Sequence, residues 1–551
     1  MTKRKEHKTE PQALSRATAV IGGRAFVTVL LTSVVAIAVN ARQPKLVVGI
    51  MVDGLKQEYI DLLRTQFVKG GFNRFLTEGV VLENVDYGTN LDPAAATAVV
   101  MTGASPAVNG IPGAMRYDPL AKRLYSTVHD PAAVGNYTDE TYSPRGLRVS
   151  TLSDESRIAG AGVTYVYSIA PGPEQAVIMG GHSGNGVAWL NTRTGNWATS
   201  TFYHDFPQVL NQRNRTTPLS TRIQTMEWTP SLVGAGAEFL PEHLTHYPFR
   251  YTFAAGDMER YAAFRSSPLV NTEITQIATE LINTLKLGTH DGADMLNIAY
   301  TLQPYPFSKS AENRYELVDS YIKLDNDLAG LLNTINTRVG ADNAIIYLAA
   351  TPPSARRRRD DSKWNIPVGE FSTRKAASLL NLYLIALHGN GEWVKAVSDN
   401  QFYLNPDAAK AHNVDMPDLR REVANYLRRM SGVNHALSID DIMTGHSGTD
   451  NAEALRRNTV ADYAGDVTID LLPGWELVDD YMSRGKVKNS GTVFVNTLTT
   501  APAYILAPGV KPEIIRSVVD ARILAPTIAG RMHIRSPNGA ALPPLRLKDK
   551  E

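Results

Sequence analysis

Asp53 is the first residue of the sequence whose position could support metal binding or catalysis. It directly follows the apolar run 45–52, which predicts a strand buried on both faces. In α/β sheets, reactive groups lie at the C-terminal ends of such strands, and a carboxylate there can bind a divalent metal ion. An Asp after a strand more often caps the next helix, here predicted over 56–68, so both interpretations stay open.

Two histidines are further candidates for chemistry. His182 follows two glycines, and we expect a structural, hydrogen-bonded role for it. His446 begins a His-Ser-Gly segment that lies close to Asp440 and Asp441, a combination that could form a relocated catalytic group. Ser, His and Asp are common in loops, however, so a chance grouping is the preferred interpretation.

Four consecutive arginines occupy 356–359 and are followed by Asp360 and Asp361. Such a charge run could contact an anion or a phosphate-bearing partner. A solvated loop is the simpler interpretation, because charge runs usually face water.

The composition excludes several classes of protein. The chain has 551 residues, of which 43% are hydrophobic and 20% charged, as in an ordinary globular protein. A formal net charge of +1 gives no support for a nucleic-acid binder driven by bulk charge. Because there is no cysteine, disulfides, thiolate nucleophiles and cysteine-ligated metals are excluded. Any metal site would need carboxylates and some of the 12 histidines.

The N-terminus carries a targeting signal. Residues 1–24 are rich in Lys and Arg, and the uncharged, mostly apolar run 25–41 follows them. This pattern predicts a secretory signal peptide over 1–41, or a signal anchor if it is not cleaved. A buried core helix is the less economical interpretation. Export would place the protein in the periplasm or at the outer face of the inner membrane, with 25–41 as the membrane contact of an uncleaved chain.

Strand and helix patterns alternate through the rest of the chain. Apolar strands are predicted at 45–52, 163–168, 295–302, 344–349 and 503–507, and helices at 56–68, 72–78, 273–286, 313–336 and 371–388. This alternation predicts an α/β/α sandwich around a mainly parallel sheet. We expect one domain over 44–551. The segment 183–270 has little helical periodicity and is expected to form an inserted cap.

The order of motifs resembles the alkaline phosphatase superfamily, in particular its type I phosphodiesterase/nucleotide pyrophosphatase branch and the phosphate-irrepressible bacterial alkaline phosphatases. The motifs that carry the resemblance are KLVVGIMVDG (45–54), GGFNRFLTEGV (70–80), MTGASPAVNGIPG (101–113), GGH (180–182), GNWATSTFY (195–203), DSYIKLDNDL (319–328), GDVTIDLLPGW (465–475) and ILAPTIAG (523–530). The resemblance implies two zinc ions held by Asp and His at strand ends, and a Thr or Ser nucleophile at a helix N-terminus. Such a pair of cations stabilises both oxygens of an in-line phosphoryl transfer.

The nucleophile position that the resemblance implies lies nine residues before Thr102. It holds Pro93, which has no hydroxyl group. Thr89 and Thr97 lie nearby, but either would require a shift of the loop by four residues. The position of the phosphate-binding Asn holds Ala114.

Most implied metal-ligand positions also carry unsuitable residues. An Asp and a His expected ahead of helix 313–336 are replaced by Pro304 and Ser308, and an Asp-His pair expected after strand 344–349 is replaced by Thr351 and Pro352. Asp53 is the one ligand-type residue retained.

The remaining implied groups are missing as well. The segment 485–502, which would supply the last His, contains none, and 170–175 has neither of the expected phosphate-binding cations. Catalytic zinc usually needs three protein ligands, so we expect no bound cofactor.

These losses leave three classes of function. The first is an exported pseudoenzyme that binds or scaffolds a protein partner in the cell envelope. The second is an active phosphomonoesterase or phosphodiesterase with a rearranged zinc site. The third is a structural envelope protein. The intact scaffold and the missing chemical groups favour the first or the third, and the first is preferred.

Overall fold

The strand that ends at Asp53 lies in the middle of the central sheet. In the computed structural model, its residues from Leu46 to Val52 are almost completely buried, as their continuous apolar run predicts. The structure describes residues 43–89, 91–118, 121–232, 240, 248–309, 314–352, 369–446, 452–472, 475–481, 487–488 and 500–550. Residues 1–41, with the predicted targeting signal, lie outside this part of the chain.

The described strands are numbered in chain order. They are β1 Leu46–Asp53, β2 Val80–Asp86, β3 Met115–Asp118, β4 Arg123–Ser126, β5 Gly135–Asn136, β6 Val166–Ala170, β7 Gly186–Leu190, β8 Trp197–Ser200, β9 Glu227–Trp228, β10 Tyr251–Thr252, β11 Asp294–Thr301, β12 Ala344–Thr351, β13 Gly369–Ser372, β14 Val394–Ser398, β15 Gln401–Leu404, β16 Val433–Ser438, β17 Val467–Leu471, β18 Trp475–Asp479, β19 Val487–Lys488, β20 Thr500–Leu506, β21 Glu513–Ile515 and β22 Val519–Asp520.

The described α-helices are numbered in the same way. They are α1 Gln57–Leu63, α2 Phe72–Glu78, α3 Pro93–Thr102, α4 Pro106–Asn109, α5 Leu152–Ala159, α6 Pro173–Gly180, α7 Gln208–Thr216, α8 Leu219–Arg222, α9 Arg260–Arg265, α10 Pro268–Thr284, α11 Arg314–Arg338, α12 Thr373–His388, α13 Pro406–Ala411, α14 Met416–Leu427, α15 Ile439–Thr444, α16 Ala452–Asn458 and α17 Leu524–Met532.

Eleven strands form the central sheet, in the order β21-β2-β20-β12-β1-β11-β6-β7-β8-β5, with β22 also paired to β2. The strands at its centre, β12, β1, β11, β6 and β7, are parallel. β20 is antiparallel to both of its neighbours, so the sheet is mixed. Helices α10 and α11 pack together with α10 on β11, while α6 packs on β6, β7 and α3. The predicted α/β/α sandwich is confirmed.

The region expected to form a cap contributes partly to the sheet. Within 183–270, β7 and β8 extend the central sheet, and β9 and β10 form a separate two-stranded ribbon. A second sheet has four strands, in the order β14-β15-β17-β16. It packs with α12 and α14 around its own hydrophobic core. This substructure lies within 369–481, where the sequence gives no strong strand signal.

Among the described residues, no helix combines the length and the apolar content that a membrane span requires.

Candidate functional site

Asp53 lies between two threonines at one edge of the central sheet. It is the last residue of β1, and its register partners on the adjacent parallel strands are Thr301 of β11 and Thr351 of β12. Thr351 donates its hydroxyl hydrogen to Asp53 Oδ1, with 3.2 Å between the oxygens. The resemblance places the Asp of an Asp-His pair at position 351. Thr351 therefore puts a hydrogen-bond donor beside Asp53 where a second carboxylate is implied.

Gln175 is the second partner of Asp53. It lies in the first turn of α6, which begins shortly after the C-terminal end of β6, so the parallel sheet brings it to the same edge as Asp53. Its Nε2 donates to Asp53 Oδ1 at 2.9 Å and to Thr97 Oγ1 at 3.2 Å. Gln175 is 8% exposed, so these bonds are largely protected from water. Two neutral donors therefore occupy the carboxylate oxygen that a cation would bind.

The N-terminus of α3 carries no hydroxyl group at the implied nucleophile position. Asp92 is its N-cap residue, with Oδ1 accepting from the Ala95 N–H at 3.0 Å and Oδ2 accepting from the Ala114 N–H. Pro93 follows as the first helical residue, which is a favoured position for proline because no backbone donor is needed there. Asp92 thus accepts hydrogen bonds from two backbone N–H groups, of the kind that can bind an anion at a helix N-terminus.

The two threonines considered as replacement nucleophiles already have hydrogen-bond partners. Thr97 donates to Pro93 O at 2.7 Å and accepts from Gln175. Thr89 accepts from Asn458 Nδ2 at 2.9 Å. Both side chains are buried, so the fold uses these hydroxyls for internal packing.

The helix-cap interpretation of Asp53 is wrong. Helix α1 has Lys56 as its N-cap residue, and no side chain forms a capping hydrogen bond there. The Asp53 carboxylate bonds instead to Gln175 and Thr351, both far away in sequence.

Burial dominates the electrostatics of this site. It raises the pKa of Asp53 to about 7, against the opposing effects of the hydrogen bonds from Gln175 and Thr351, and the nearby charge of Asp92 adds to the rise. Burial also raises the pKa of Asp92. A carboxyl group with a pKa near 7 is partly protonated at neutral pH, and its neutral form needs no cation nearby.

A third acidic side chain, Asp399 of the second sheet, is influenced by the charge of Asp92. Asp399 lies in the turn between β14 and β15, and its pKa is raised to about 7 by burial and by the charges of Asp479 and Asp92. Its backbone N–H donates to Asp479 Oδ2 at 3.0 Å, while its own Oδ1 is buried and has no hydrogen-bond partner. Sequence analysis missed Asp399, because the turn has no motif of its own.

The donor set does not fit a two-zinc centre. No three His, Cys, Asp or Glu side chains are grouped for metal binding within the described residues. Thr351 and Gln175 direct hydrogens toward Asp53, whereas a metal would need oxygen or nitrogen lone pairs directed into the same space. Of the other implied ligand positions, Ser308 donates to Glu316 Oε1 at 2.6 Å.

His182 has the structural role that its position predicts. Its Nδ1 lies 3.3 Å from Asp154 Oδ2, and its Nε2 lies 3.2 Å from Leu147 O. Asp154 also forms a capping box with Thr151 at the start of α5. The bond to Asp154 raises the pKa of His182. Because Asp154 is part of the capping box, this pair stabilises the N-terminal end of α5.

The candidate group around His446 is not assembled among the described residues. Asp440 forms an ion pair with Arg420 at 3.1 Å, and Asp441 accepts from Ser438 at the start of α15. His446 is exposed, and Ser447 lies outside the described residues. The Arg run 356–359 with Asp360 and Asp361 also lies outside them.

Comparisons with known proteins agree with this fold. The family profile described as type I phosphodiesterase / nucleotide pyrophosphatase matches residues 47–254. Alkaline phosphatase PhoV of Synechococcus elongatus is 26% identical over 514 residues, covering 90% of this chain and 92% of that protein. Alkaline phosphatase PafA of Elizabethkingia meningoseptica is 25% identical over 533 residues, covering 91% and 94%.

A solved structure supports the same relationship at the level of the fold. The crystal structure of wild-type alkaline phosphatase PafA superposes with a TM-score of 0.78 at 23% identity, covering 92% of this chain and 98% of that one. The chain is therefore similar over most of its length to two alkaline phosphatases, and its residues 47–254 match the type I phosphodiesterase / nucleotide pyrophosphatase family.

Proposed function

We propose that this protein is an exported pseudoenzyme of the superfamily, which binds or scaffolds a protein partner in the cell envelope and does not hydrolyse phosphate esters. The observation that carries the proposal is the pairing of Asp53 with Gln175 and Thr351. Neutral side chains complete the hydrogen bonding of a carboxylate that would otherwise need a cation.

The energetic argument concerns the transition state of phosphoryl transfer. A two-metal clamp and an activated nucleophile supply most of the stabilisation in such a reaction. Pro93 has no group that can attack phosphorus, and Asp53 is one ligand where catalytic zinc usually has three. Buried carboxyls with raised pKa values, at Asp53 and Asp399, also oppose the binding of an anionic phosphate when they ionise.

The test of inactivity is a turnover assay on the full chain. Aryl phosphate monoesters and diesters are supplied with added zinc, and we expect hydrolysis no faster than in buffer. Asp53→Asn is the control for any residual rate. Turnover that a chelator abolishes and Asp53→Asn removes would support the active enzyme with a rearranged metal site.

Partner binding is tested by pull-down from envelope extracts of the source cells. The intact chain is compared with a variant in which the arginines at 356–359 are replaced by alanine. We expect a protein to be captured by the intact chain and lost from the variant, because the run supplies four adjacent positive charges. If the intact chain captures no protein specifically, the result would favour the third class of function, a structural envelope protein.

The proposed location rests on the N-terminal sequence. A basic leader followed by the apolar run 25–41 supports export, with membrane attachment if the signal is retained. Cell fractionation is the test, and we expect the chain in the periplasmic or membrane fraction. A cytoplasmic chain with an intact N-terminus would contradict this location.

A further inference from the structure

An exposed apolar turn, residues 158–165, connects the end of α5 to β6, and none of its residues is charged. Three of its large side chains are exposed: Ile158 (67%), Val163 (55%) and Tyr165 (36%). The small residues between them are exposed as well, namely Ala159, Ala161 and Gly162. Single apolar residues on a surface are ordinary, but a run of them in one turn marks a surface that makes contact with something apolar.

The backbone of the apolar turn already has its hydrogen bonds. The N–H groups of 160–163 all donate to carbonyl groups within 156–160. Arg157 donates from Nη1 to Gly162 O at 2.6 Å and also to Thr164 O, so the cation that precedes the turn is used to hold it together. Backbone groups paired in this way can leave water without the cost of an unsatisfied donor or acceptor.

The apolar turn lies at the edge of the central sheet opposite Asp53. Tyr165 directly precedes β6, and its N–H donates to Asp294 Oδ1, at the start of β11, at 2.8 Å. The N–H of Asp294 donates in turn to Lys45 O, just before β1, at 3.0 Å. Two hydrogen bonds therefore connect the turn to the residue from which the chain enters β1.

The neighbouring loops at this edge have balanced charges. A side chain at Gly292 would collide with Thr164 Cγ2, so the loop before β11 packs closely on the turn. The exposed charged residues of 286–293 and 338–343 are two cations and two anions: Lys286, Arg338, Asp291 and Asp342. The net charge around the turn is therefore close to zero, and an apolar contact suits it better than a contact selected by charge.

We propose that the apolar turn inserts into the surface of the membrane to which the N-terminal segment attaches the chain. The proposal rests on the location proposed above, with the signal retained. The apolar run 25–41 ends four residues before Lys45. An extended chain advances at most ~3.6 Å per residue, so a run that stays in the bilayer keeps Lys45 within about 15 Å of the lipid. The edge of the sheet that carries the turn is then the edge nearest the membrane.

The side chains of the turn suit the two layers of a lipid surface. Ile158 and Val163 supply aliphatic surface for the acyl boundary, and Tyr165 is of the type enriched at the level of the headgroups. Two aliphatic side chains alone bind lipid weakly. The attached run makes their insertion intramolecular, however, so a weak contact is sufficient. Because the neighbouring charges balance, the contact should not depend on anionic lipid or on salt.

The test uses the full chain, with its N-terminal run, reconstituted into vesicles of neutral phosphatidylcholine. The chain has no cysteine, so Val163→Cys provides a single site for the environment-sensitive dye NBD. We expect a blue-shifted emission that nitroxide-labelled lipids quench at least twofold. A blue shift without quenching by these lipids would mean that protein covers the turn, and would overturn the proposal.

Met115→Cys is the matched control, at an apolar residue that is 49% exposed. The N–H of the preceding Ala114 binds Asp92 at the start of α3, so this label lies near the Asp53 edge of the sheet. Its dye should stay in water, without measurable quenching by the lipids. Equal quenching of the two labels would contradict an insertion that is specific to the turn.

Ile158→Asp tests whether the apolar side chains make the contact. A charge at this exposed position leaves the core intact, but it should withdraw the turn from the lipid and abolish quenching of the Val163→Cys label. Met115→Asp in the same labelled chain should leave the quenching unchanged. Quenching that survives Ile158→Asp, or that appears only with anionic lipid, would refute an apolar insertion.

Flotation of the same vesicles separates failure of this proposal from failure of the proposed location. A chain that floats with the vesicles while its Val163→Cys label stays in water would overturn the contact and leave the attachment intact. A chain that does not float would overturn the attachment together with the contact that rests on it. Flotation with lipid quenching at Val163→Cys and none at Met115→Cys is the expected result.

Discussion

Gln175 Nε2 lies 2.9 Å from Asp53 Oδ1, so a neutral amide on α6 binds the strand-end carboxylate of β1. Thr351 binds the same oxygen from the neighbouring strand. The edge of the sheet where the superfamily resemblance implies a metal centre is held together by ordinary hydrogen bonds.

Replacing Gln175 by Leu should destabilise the protein in a pH-dependent way. The hydrogen bond favours the charged form of Asp53, whose pKa in the folded protein is about 7. Its loss should therefore cost about 1–3 kcal/mol at pH 8, where Asp53 is ionised, and less at pH 5, where it is mostly protonated. Urea denaturation at both pH values measures this difference.

The matched control for that variant is Gln224→Leu, which removes an exposed amide. It should change stability by less than about 0.5 kcal/mol at either pH. If Gln175→Leu had no larger effect than this control, the bond to Asp53 would not contribute to stability.

Replacing Asp399 by Asn should stabilise the protein at high pH. Burial and neighbouring carboxylates raise the pKa of Asp399 from 3.8 to about 7 in the folded state. The contribution of this group to the free energy of unfolding is therefore fully present below pH 4 and falls as the pH rises from 4 to 7. Above pH 7 it is lost, and the total loss is up to ~4 kcal/mol. Asn keeps the shape and tolerates the left-handed backbone at this position (φ 53°).

We expect Asp399→Asn to gain about 1–4 kcal/mol at pH 8 and nothing at pH 4, measured by denaturation across the pH range. Asp291→Asn, at an exposed residue, is the control and should show no such trend. A uniform gain at every pH would mean that the carboxyl charge is not the cause.

Replacing Val48 by Asp should prevent stable folding. Val48 lies in the middle of β1 and is completely buried, so the new carboxylate would have no partner. A loss of several kcal/mol, on the order of 4 or more, is expected and can be read from the yield of folded protein or from denaturation. Val163→Asp, at a residue 55% exposed, should be tolerated.

Restoring a hydroxyl at position 93 should not create activity. Pro93→Thr places a hydroxyl at the start of α3, but Thr351 and Gln175 still occupy the Asp53 carboxylate. We expect no hydrolysis of aryl phosphates above buffer, and a stability loss of about 1 kcal/mol or less from the lost proline. Zinc-dependent turnover in this single variant would show that the metal ligands come from other residues.

The sequence predicts the central sheet well, because its strands are long and buried on both faces. The runs 45–52, 295–302 and 344–349 correspond within two residues to β1, β11 and β12. Helix 72–78 is confirmed as α2. An apolar run does not encode strand direction, however, so the antiparallel β20 could not be told from a parallel strand.

The second sheet and much of the site were harder to predict. Strands such as Gln401–Leu404 are short and take their partners from distant parts of the chain. Gln175 meets Asp53 only because α6 starts at the edge where β1 ends, a relationship that no local pattern contains. The sequence did indicate that Pro93 stands at the implied nucleophile position and Thr351 at an implied metal-ligand position. Residue type alone is enough here, because Pro has no hydroxyl group and Thr has no carboxylate.

The most direct measurement of the central claim is the zinc content of the full chain purified from zinc-replete cells. Elemental analysis should find less than about 0.1 zinc per chain, and Asp53→Asn should give the same value, because catalytic zinc needs three protein ligands and the site offers one. About two zinc ions per wild-type chain, reduced in Asp53→Asn, would contradict the pseudoenzyme account.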